Sequence, residues 1–309
     1  GKPKYPVGTS VATTNVNDRL INAVQCSFSN MGKPHGIAEG GAMQAAGIAV
    51  VSGIDSTREN RQYINQVFIG YVIGLDYQNP HLSPFDEFQR FKTHNDIKKM
   101  LDGGKRIAFG ARALIEGGLQ SLPKMYMPGG LLVGCDAGTL NMPKIKGSHT
   151  AMKSGIIAAE TIIENIKNKK DLSVYEEKFK KSWVYQELHV ARNVKPSFRW
   201  GLILGIIFTG LDQILFRGKM PFTLKHKHSD CESLKPANQM QKINYPKPDG
   251  KITFDKTSSV YLTGTNHTDN QPVHLKLKDS NLPISYTLKE YDEPAQRYCP
   301  VGVYEIQNE

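Results

Sequence analysis

Residues 129–160 constrain the fold of this chain more than any other stretch. They begin with the apolar run Leu131-Leu132-Val133, which is short enough to form a buried strand between turn residues. The small residues 134–138 favour a tight turn, and the apolar residues from Ala151 to Ile163 recur at the spacing of a helix packed on a sheet. Such a unit brings backbone amides to a helix N-terminus, where an anionic group is stabilised. The pattern predicts a βα unit, which any α/β protein also contains.

Letter by letter, the stretch is similar to the second flavin-binding segment of FAD enzymes of the glutathione-reductase type. In that segment a glycine-acid turn precedes a loop and a long helix. Cys135 stands where most of that superfamily has Asp, and HTAMKSG follows the loop. These features resemble one family in particular, the electron transfer flavoprotein-ubiquinone oxidoreductases. The resemblance runs from about Val72 to the C-terminus, through GLDYQNPHLSPFDEFQRFK, GGKRIAFGARALIEGGLQSLPK, TLKHKHSD and YDEPAQRYCPVGVYE.

The resemblance implies that this stretch contacts FAD. Residues 134–138 are expected beside the ribityl-phosphate part, whereas Asn141 and the amides of residues 146–148 are expected beside the flavin ring. Hydrogen-bond donors at the ring edge tune how readily a flavin accepts an electron. The candidate cofactor-binding residues are Gly134, Cys135, Asp136, Gly138, Asn141, Lys146, Gly147 and Ser148. No catalytic residue is expected, since the sequence shows no nucleophile-base pair and single-electron transfer requires none.

The first 67 residues lie outside the resemblance. Asn17 or Asp18 precedes an apolar-periodic set, which predicts a short capped helix. The glycines at positions 40, 41, 47 and 53 do not form the GxGxxG fingerprint with which the family begins. We interpret this segment as structural or disordered rather than as a nucleotide loop.

Residues 68–128 are expected to form the quinone-side part of the fold. QVFIGYVIGL predicts a strand, and Ser83 followed by Pro84 predicts the start of a helix. The aromatic stripe on that helix favours core packing, and IAFGARAL predicts a further strand and turn. Arg112 is expected to form a structural ion pair or to neighbour the flavin. The stripe consists of Phe85, Phe88 and Phe91.

The segment from Trp200 to Phe216 is apolar but too short to cross a bilayer. It is either a buried core helix or a segment that lies in one leaflet. Basic residues on both sides and Trp200 at the boundary favour the leaflet, held by apolar burial and anionic headgroups. The resemblance implies the same monotopic attachment. The formal charge of +10 also favours an anionic partner, and since no nucleic-acid motif is recognisable we expect a membrane or an acidic protein.

Cysteine usage bears on the second expected cofactor. The four cysteines at 26, 135, 231 and 299 form no CxxC pair, which indicates a reducing compartment without a disulfide framework. By resemblance, Cys299 matches the first thiolate of a [4Fe-4S] cluster in a ferredoxin-like domain that begins near Asn244. Such a cluster takes four thiolates, and the residues that follow Cys299 contain no further cysteine. Cys299 is therefore also interpreted as a lone buried thiol in this sequence, and short strands are predicted from KITFD, SSVYLTGT and VHLKLK.

The expected fold is α/β plus α+β, with a partial FAD domain and the start of a ferredoxin-like domain. Predicted divisions are 1–67, 68–128 on the quinone side, 129–170 with the FAD segment, 171–240 helical at the membrane surface, and 241–309. The resemblance implies a membrane-associated oxidoreductase that passes electrons from electron transfer flavoprotein to ubiquinone, at the matrix face of the mitochondrial inner membrane or at a bacterial inner membrane. The alternatives are a non-enzymatic membrane-binding fragment and a different FAD reductase of the superfamily. Any targeting peptide is expected to lie outside this sequence, which starts at Gly1.

Overall fold

The computed structural model describes residues 19–27, 44–54, 63–111, 113–168, 171–264, 268, 270 and 277–307. In chain order its strands are β1 (Arg19–Ser27), β2 (Gln44–Ile54), β3 (Tyr63–Ile73), β4 (Tyr126–Met127) and β5 (Gly130–Leu131). Its helices are α1 (Pro84–Lys92), α2 (Asn95–Leu101), α3 (Ser148–Asn168), α4 (Val174–Lys181), α5 (Trp183–Ala191), α6 (Val194–Ser197), α7 (Leu202–Gly210), α8 (Lys256–Tyr261), α9 (Lys289–Tyr291) and α10 (Ala295–Tyr298). The chain forms two compact units, Gly1–Arg112 with Ser229–Glu309 and Ala113–His228. The five sequence-based divisions stay predictions.

The first unit contains a three-stranded antiparallel sheet in the order β1-β2-β3. β2 pairs with β3 along its whole length, from Gln44 opposite Ile73 to Ile54 opposite Tyr63. The strand predicted from QVFIGYVIGL is therefore confirmed as β3. The helix predicted after Asn17 or Asp18 is wrong, because β1 occupies Arg19–Ser27 and pairs with β2. The backbone hydrogen bonds that β1 forms with β2 stabilise the strand more than the weak helix propensity of its sequence stabilises a helix.

Helix α1 starts as its sequence predicts. The Ser83 side chain accepts a hydrogen bond from the Asp86 amide, and Pro84 occupies the first turn. Phe85 and Phe91 are both buried, and the ring of Phe91 lies 5.4 Å from that of Tyr71 on β3. Phe88 packs against the same cluster. The core role predicted for the aromatic stripe is confirmed.

A buried carboxylate links α1 to a segment far along the chain. Glu87 is fully buried, and its two oxygens accept hydrogen bonds from the Arg90 guanidinium and from the Tyr245 hydroxyl, the latter at 2.9 Å. The Tyr245 oxygen in turn accepts the Ser83 amide at 3.1 Å. A buried charge is tolerated only when it is paired in this way. The network therefore fixes the residues around Tyr245 on the N-terminal end of α1.

Several strands predicted within this unit are wrong. Residues 107–111 of IAFGARAL are irregular and Ile107 is exposed, since no strand among the described residues pairs with them. SSVY belongs to helix α8, because Asp255 caps it by accepting the Ser258 amide at 2.7 Å. KITFD forms no strand because the Asp249 carboxylate turns the chain by accepting the amides of residues 251–253. Arg112 and most of VHLKLK lie outside the described residues.

The second unit packs α3, α4 and α5 around a core that includes Tyr175, Phe179 and Leu188. β4 and β5 form a two-residue antiparallel ladder, so only Leu131 of the predicted strand Leu131-Leu132-Val133 is in a strand. Val133 is partly exposed because, among the described residues, no parallel strand covers this run. The helix predicted from Ala151 is confirmed and begins at Ser148. The prediction of a buried strand over residues 131–133 is therefore wrong beyond Leu131, whereas the prediction of helices combined with small sheets is confirmed. The glutathione-reductase-type FAD fold stays a prediction.

Lys92 is a buried cation in the first unit, and its contacts give a prediction. Its Nζ lies 5.3 Å from the centre of the Phe88 ring and 5.0 Å from that of Phe254. Burial, followed by the nearby charge of Arg106, lowers the pKa of Lys92 to about 8. Between pH 8 and the ordinary lysine pKa the unfolded chain binds more protons than the folded chain, so stability rises with pH in that window.

Lys92→Met should therefore stabilise the protein near pH 7, and this gain should shrink by roughly 2–3 kcal/mol near pH 10. Urea denaturation of parent and variant at both pH values measures the difference. Lys98→Met, at an exposed position on α2, is the control for the removal of one lysine. A Lys92→Met gain that is equal at both pH values contradicts the prediction.

Candidate functional site

The predicted glycine turn lies against the start of α3. Residues Gly134–Ala137 form a single 3-10 turn, and Gly134 and Gly138 both have left-handed backbones with φ of 62° and 76°. The Gly134 amide donates to the Ser154 hydroxyl at 2.9 Å. A Cβ on Gly134 would lie 3.2 Å from the Cβ of Ala151. Glycine at this position therefore lets the turn pack directly on the helix.

Polar groups that need a partner lie close to this turn in the chain. Thr139 is fully buried, and its Oγ1 has no hydrogen-bond partner in the part of the chain that the structure describes. The first amides of the 21-residue helix α3 have no acceptor within the helix. A buried hydroxyl without a partner is costly, so a bound polar group at this position would offset that cost.

The loop between the turn and α3 is closed on itself. Asn141 and Lys146 exchange backbone hydrogen bonds of 2.9 and 3.2 Å. The Asn141 side chain is buried, and its Oδ1 accepts the Lys144 amide at 3.3 Å while its Nδ2 donates to Glu187 at 2.8 Å. The structure therefore gives the Asn141 amide and the Lys146 N–H partners within the protein. Their predicted contacts with a flavin stay predictions.

Sequence reasoning missed Glu187, whose carboxylate contacts three side chains of this loop and of the first turn of α3. Its Oε1 accepts hydrogen bonds from Asn141 Nδ2 and His149 Nε2, each at 2.8 Å, and its Oε2 lies 3.2 Å from Lys144 Nζ. Burial alone would raise the pKa of Glu187, but the hydrogen bonds from His149, Asn141 and Lys144 outweigh it and lower the pKa below its usual range. The carboxylate is therefore charged at neutral pH. The only sequence signal was its place in the charged helical stretch between residues 172 and 200.

Arg192, just beyond α5, was also missed and holds the segment that returns from α7. Its guanidinium is buried and donates to backbone carbonyls and one hydroxyl. The acceptors are the carbonyls of His189, Gly218, Met220 and Phe222, and Thr223 Oγ1 at 2.9 Å. Gly218 approaches α5 so closely that a Cβ would lie 2.6 Å from Val190 atoms. Arg192 thus ties the residues that follow the apolar segment to the helical core of the unit.

The apolar segment itself exposes large side chains. α7 is followed by a π-helical turn, Leu211–Leu215, and packs on the preceding residues through Gly205, which lies against Phe198. The exposed set, which we name the apolar surface, is Leu202, Ile203, Leu204, Ile206, Ile207, Leu211, Ile214, Leu215 and Phe216. Ile203 and Ile214 are 73% and 83% exposed. Within the described residues, no helix has both the length and the apolar character needed to cross a membrane.

Cys299 is buried at the end of α10. Its Sγ lies 3.4 Å from the Val303 amide, and Lys256 Nζ donates to its carbonyl at 3.0 Å. Among the described residues, no group of three or more His, Cys, Asp or Glu side chains is placed to hold a metal ion. The described residues therefore supply one candidate thiolate and do not fit a complete [4Fe-4S] cluster.

Comparison with known proteins gives two family models and a set of curated relatives. The model described as ETF-QO, ubiquinone-binding, matches residues 54–114, and the model described as electron transfer flavoprotein-ubiquinone oxidoreductase, 4Fe-4S, matches residues 250–309. The mitochondrial electron transfer flavoprotein-ubiquinone oxidoreductase of Bos taurus is 57% identical over 250 residues, which is 78% of this chain and 40% of the relative. The enzyme of the same name from Pseudomonas aeruginosa is 56% identical over 247 residues, 78% of this chain and 45% of the relative.

The mitochondrial relative from Caenorhabditis elegans is 51% identical over 248 residues, 78% of this chain and 42% of the relative. The relatives thus include mitochondrial and bacterial proteins that are named as oxidoreductases, and the 4Fe-4S model confirms an iron-sulfur cluster as a cofactor of this group. This chain spans about two fifths of the length of the relatives that it matches. With identities above 50% and two matching family models, the chain belongs to the electron transfer flavoprotein-ubiquinone oxidoreductase family.

Proposed function

We propose that this chain supplies the membrane-facing surface and a flavin-facing loop of an oxidoreductase that passes electrons from electron transfer flavoprotein to ubiquinone. The observation that carries the proposal is the apolar surface, since soluble domains rarely expose so many large apolar side chains without a binding role. The relatives are named for this reaction. The proposed location is the matrix face of the mitochondrial inner membrane, or a bacterial inner membrane.

The exposure of the apolar surface supports the leaflet interpretation over the core-helix interpretation. Its side chains are 43–83% exposed, whereas a core helix would bury them. Arg199 lies before it with its guanidinium 5.0 Å from the centre of the Trp200 ring, and Arg217 and Lys219 follow it. Basic ends and a boundary tryptophan suit a helix that lies in the interface of an anionic leaflet. Ubiquinone is apolar and dissolves in the same layer, so this placement brings the enzyme to its acceptor.

The membrane proposal predicts that Leu204→Asp combined with Ile207→Asp releases the protein from phosphatidylcholine vesicles that contain phosphatidylglycerol. Each apolar side chain that leaves the leaflet costs about 1.5 kcal/mol or more, so the affinity should fall at least roughly 100-fold. Cosedimentation with the vesicles measures this affinity. Ile156→Asp combined with Ile163→Asp on α3 is the matched control, since both side chains are about half exposed and lie outside the apolar surface. A Leu204/Ile207 variant that sediments like the parent refutes membrane attachment by this surface.

The glycine turn and the residues around it fit one edge of FAD. The buried Thr139 hydroxyl lacks a partner among the described residues, and the amides at the start of α3 can receive an anionic or polar group. In the proposed arrangement Gly134, Cys135, Asp136 and Gly138 lie beside the ribityl-phosphate part. Asn141, Lys146, Gly147 and Ser148 lie beside the ring. FAD, when bound, holds electrons singly between a one-electron donor and a two-electron acceptor.

Cys299 is proposed as one thiolate ligand of the family's [4Fe-4S] cluster. Because the described residues do not complete that ligand set, no part of the proposed function of this chain depends on a cluster.

Thr139→Val tests the flavin proposal, because it replaces the unpartnered hydroxyl by a methyl group of similar shape. Folding stability should rise slightly, since the cost of the buried hydroxyl disappears, while the affinity for added FAD should fall about tenfold. Denaturation and titration of the full chain with FAD, followed by flavin fluorescence, measure the two effects. Thr161→Val is the control, since that buried hydroxyl already donates to the Ile157 carbonyl at 2.8 Å. A parent chain that binds no FAD, or equal affinities for both variants, contradicts the proposed site.

A further inference from the structure

Three side chains, two from the loop and one from the first turn of α3, converge on a single carboxylate of α5. Asn141 Nδ2 and His149 Nε2 each lie 2.8 Å from Glu187 Oε1, and Lys144 Nζ lies 3.2 Å from Oε2. Asn141 stands at the beginning of the loop and His149 in the first turn of α3, so the carboxylate joins both ends. The side chain of Glu187 is only 18% exposed, which strengthens these contacts relative to surface ion pairs.

The charge of Glu187 fixes the orientation of its partners. A carboxylate only accepts hydrogen bonds, so Asn141 must present its NH₂ group and His149 must carry a proton on Nε2. The same choice leaves Asn141 Oδ1 facing the loop, where it accepts the Lys144 amide at 3.3 Å. The reverse amide orientation would place an oxygen against the carboxylate and an NH₂ group against an N–H. One charge on α5 therefore selects the conformation of the short turn Met142–Lys144.

The ring of His149 is held from a second side. It stacks on the indole of Trp183, with 5.7 Å between ring centres and 10° between planes. Trp183 and Glu187 are four residues apart on α5, so they present to the same side of the helix. The indole therefore sets the plane of the imidazole ring, and the hydrogen bond to Glu187 fixes its orientation within that plane.

We infer that Glu187 is the positioning residue of the loop between the glycine turn and α3, and that it acts through Asn141, Lys144 and His149. The inference rests on the proposed function in that this loop is the one assigned to the flavin ring. It changes the role of Asn141, whose amide is held by Glu187 and the loop backbone and acts as part of the loop frame. The contacts that the loop makes with a ligand then depend on a charge that does not touch the ligand.

Hydrogen exchange of the full chain tests the positioning directly, without a cofactor. Asn141 and Lys146 protect each other's amides through their mutual hydrogen bonds. In Glu187→Gln, amide exchange across residues 141–147 should accelerate about tenfold, while exchange within α4 should not change. Glu176→Gln is the matched control, since Glu176 pairs along its own helix with Lys180 at 2.9 Å. Its exchange across 141–147 should equal that of the parent.

A donor-acceptor reversal separates positioning from general destabilisation. In the double variant Glu187→Gln with Asn141→Asp, the new amide donates to the new carboxylate, and protection of residues 141–147 should return in large part. FAD affinity should follow the same order: lowered about tenfold in Glu187→Gln, restored in part in the double variant, and unchanged in Glu176→Gln.

Equal exchange in Glu187→Gln and parent overturns the inference, as does acceleration that spreads equally through α4. A double variant that is no better protected than Glu187→Gln also overturns it. If the parent binds no FAD, the proposed function fails while the exchange experiment still decides whether Glu187 positions the loop.

Discussion

Backbone carbonyls that emerge from an apolar segment must find donors, and in the unit Ala113–His228 the buried guanidinium of Arg192 supplies them. Its donors are directed at carbonyls of the returning segment and of α5 itself. Without this donor, the buried Gly218 carbonyl would lose its contact with Arg192, at a cost of about 1–3 kcal/mol. A lysine has a single ammonium and cannot reach the same spread of acceptors. The apolar surface therefore keeps a defined position although its own side chains contact little protein.

Helix α5 connects the two functional features of this unit. Its first turn carries Trp183, which stacks on His149, and Glu187 follows one turn later with its hydrogen bonds to the loop. Arg192 lies immediately after its last residue and holds the segment that returns from α7. Val184 and Leu188 anchor the same helix in the core. A shift of α5 would move the loop and the apolar surface together, so the core packing of this helix matters to both.

Local signals predicted structure well, and contacts between distant residues were not visible in the sequence. α1 was predicted because its cap, its proline and its aromatic stripe all lie within nine residues. β1 was missed because a strand takes its hydrogen bonds from a partner that lies some thirty residues further along, for instance Val51 opposite Ile21. Glu187 was missed for the same reason, since its partners lie 38 and 46 residues away. The glycine turn and α3 could be predicted from spacing and resemblance, whereas the orientation of the Asn141 amide depends on a charge on another helix.

The apolar surface also affects how this protein behaves in plain aqueous buffer. In plain aqueous buffer, copies of the chain can cover Ile203, Ile214 and their neighbours only by pressing these surfaces together. Self-association without lipid or detergent would then be driven by the burial of this apolar surface, and it would not indicate a specific oligomer. An oligomeric state measured for this protein is therefore meaningful only when detergent or lipid covers α7 and the turn that follows it.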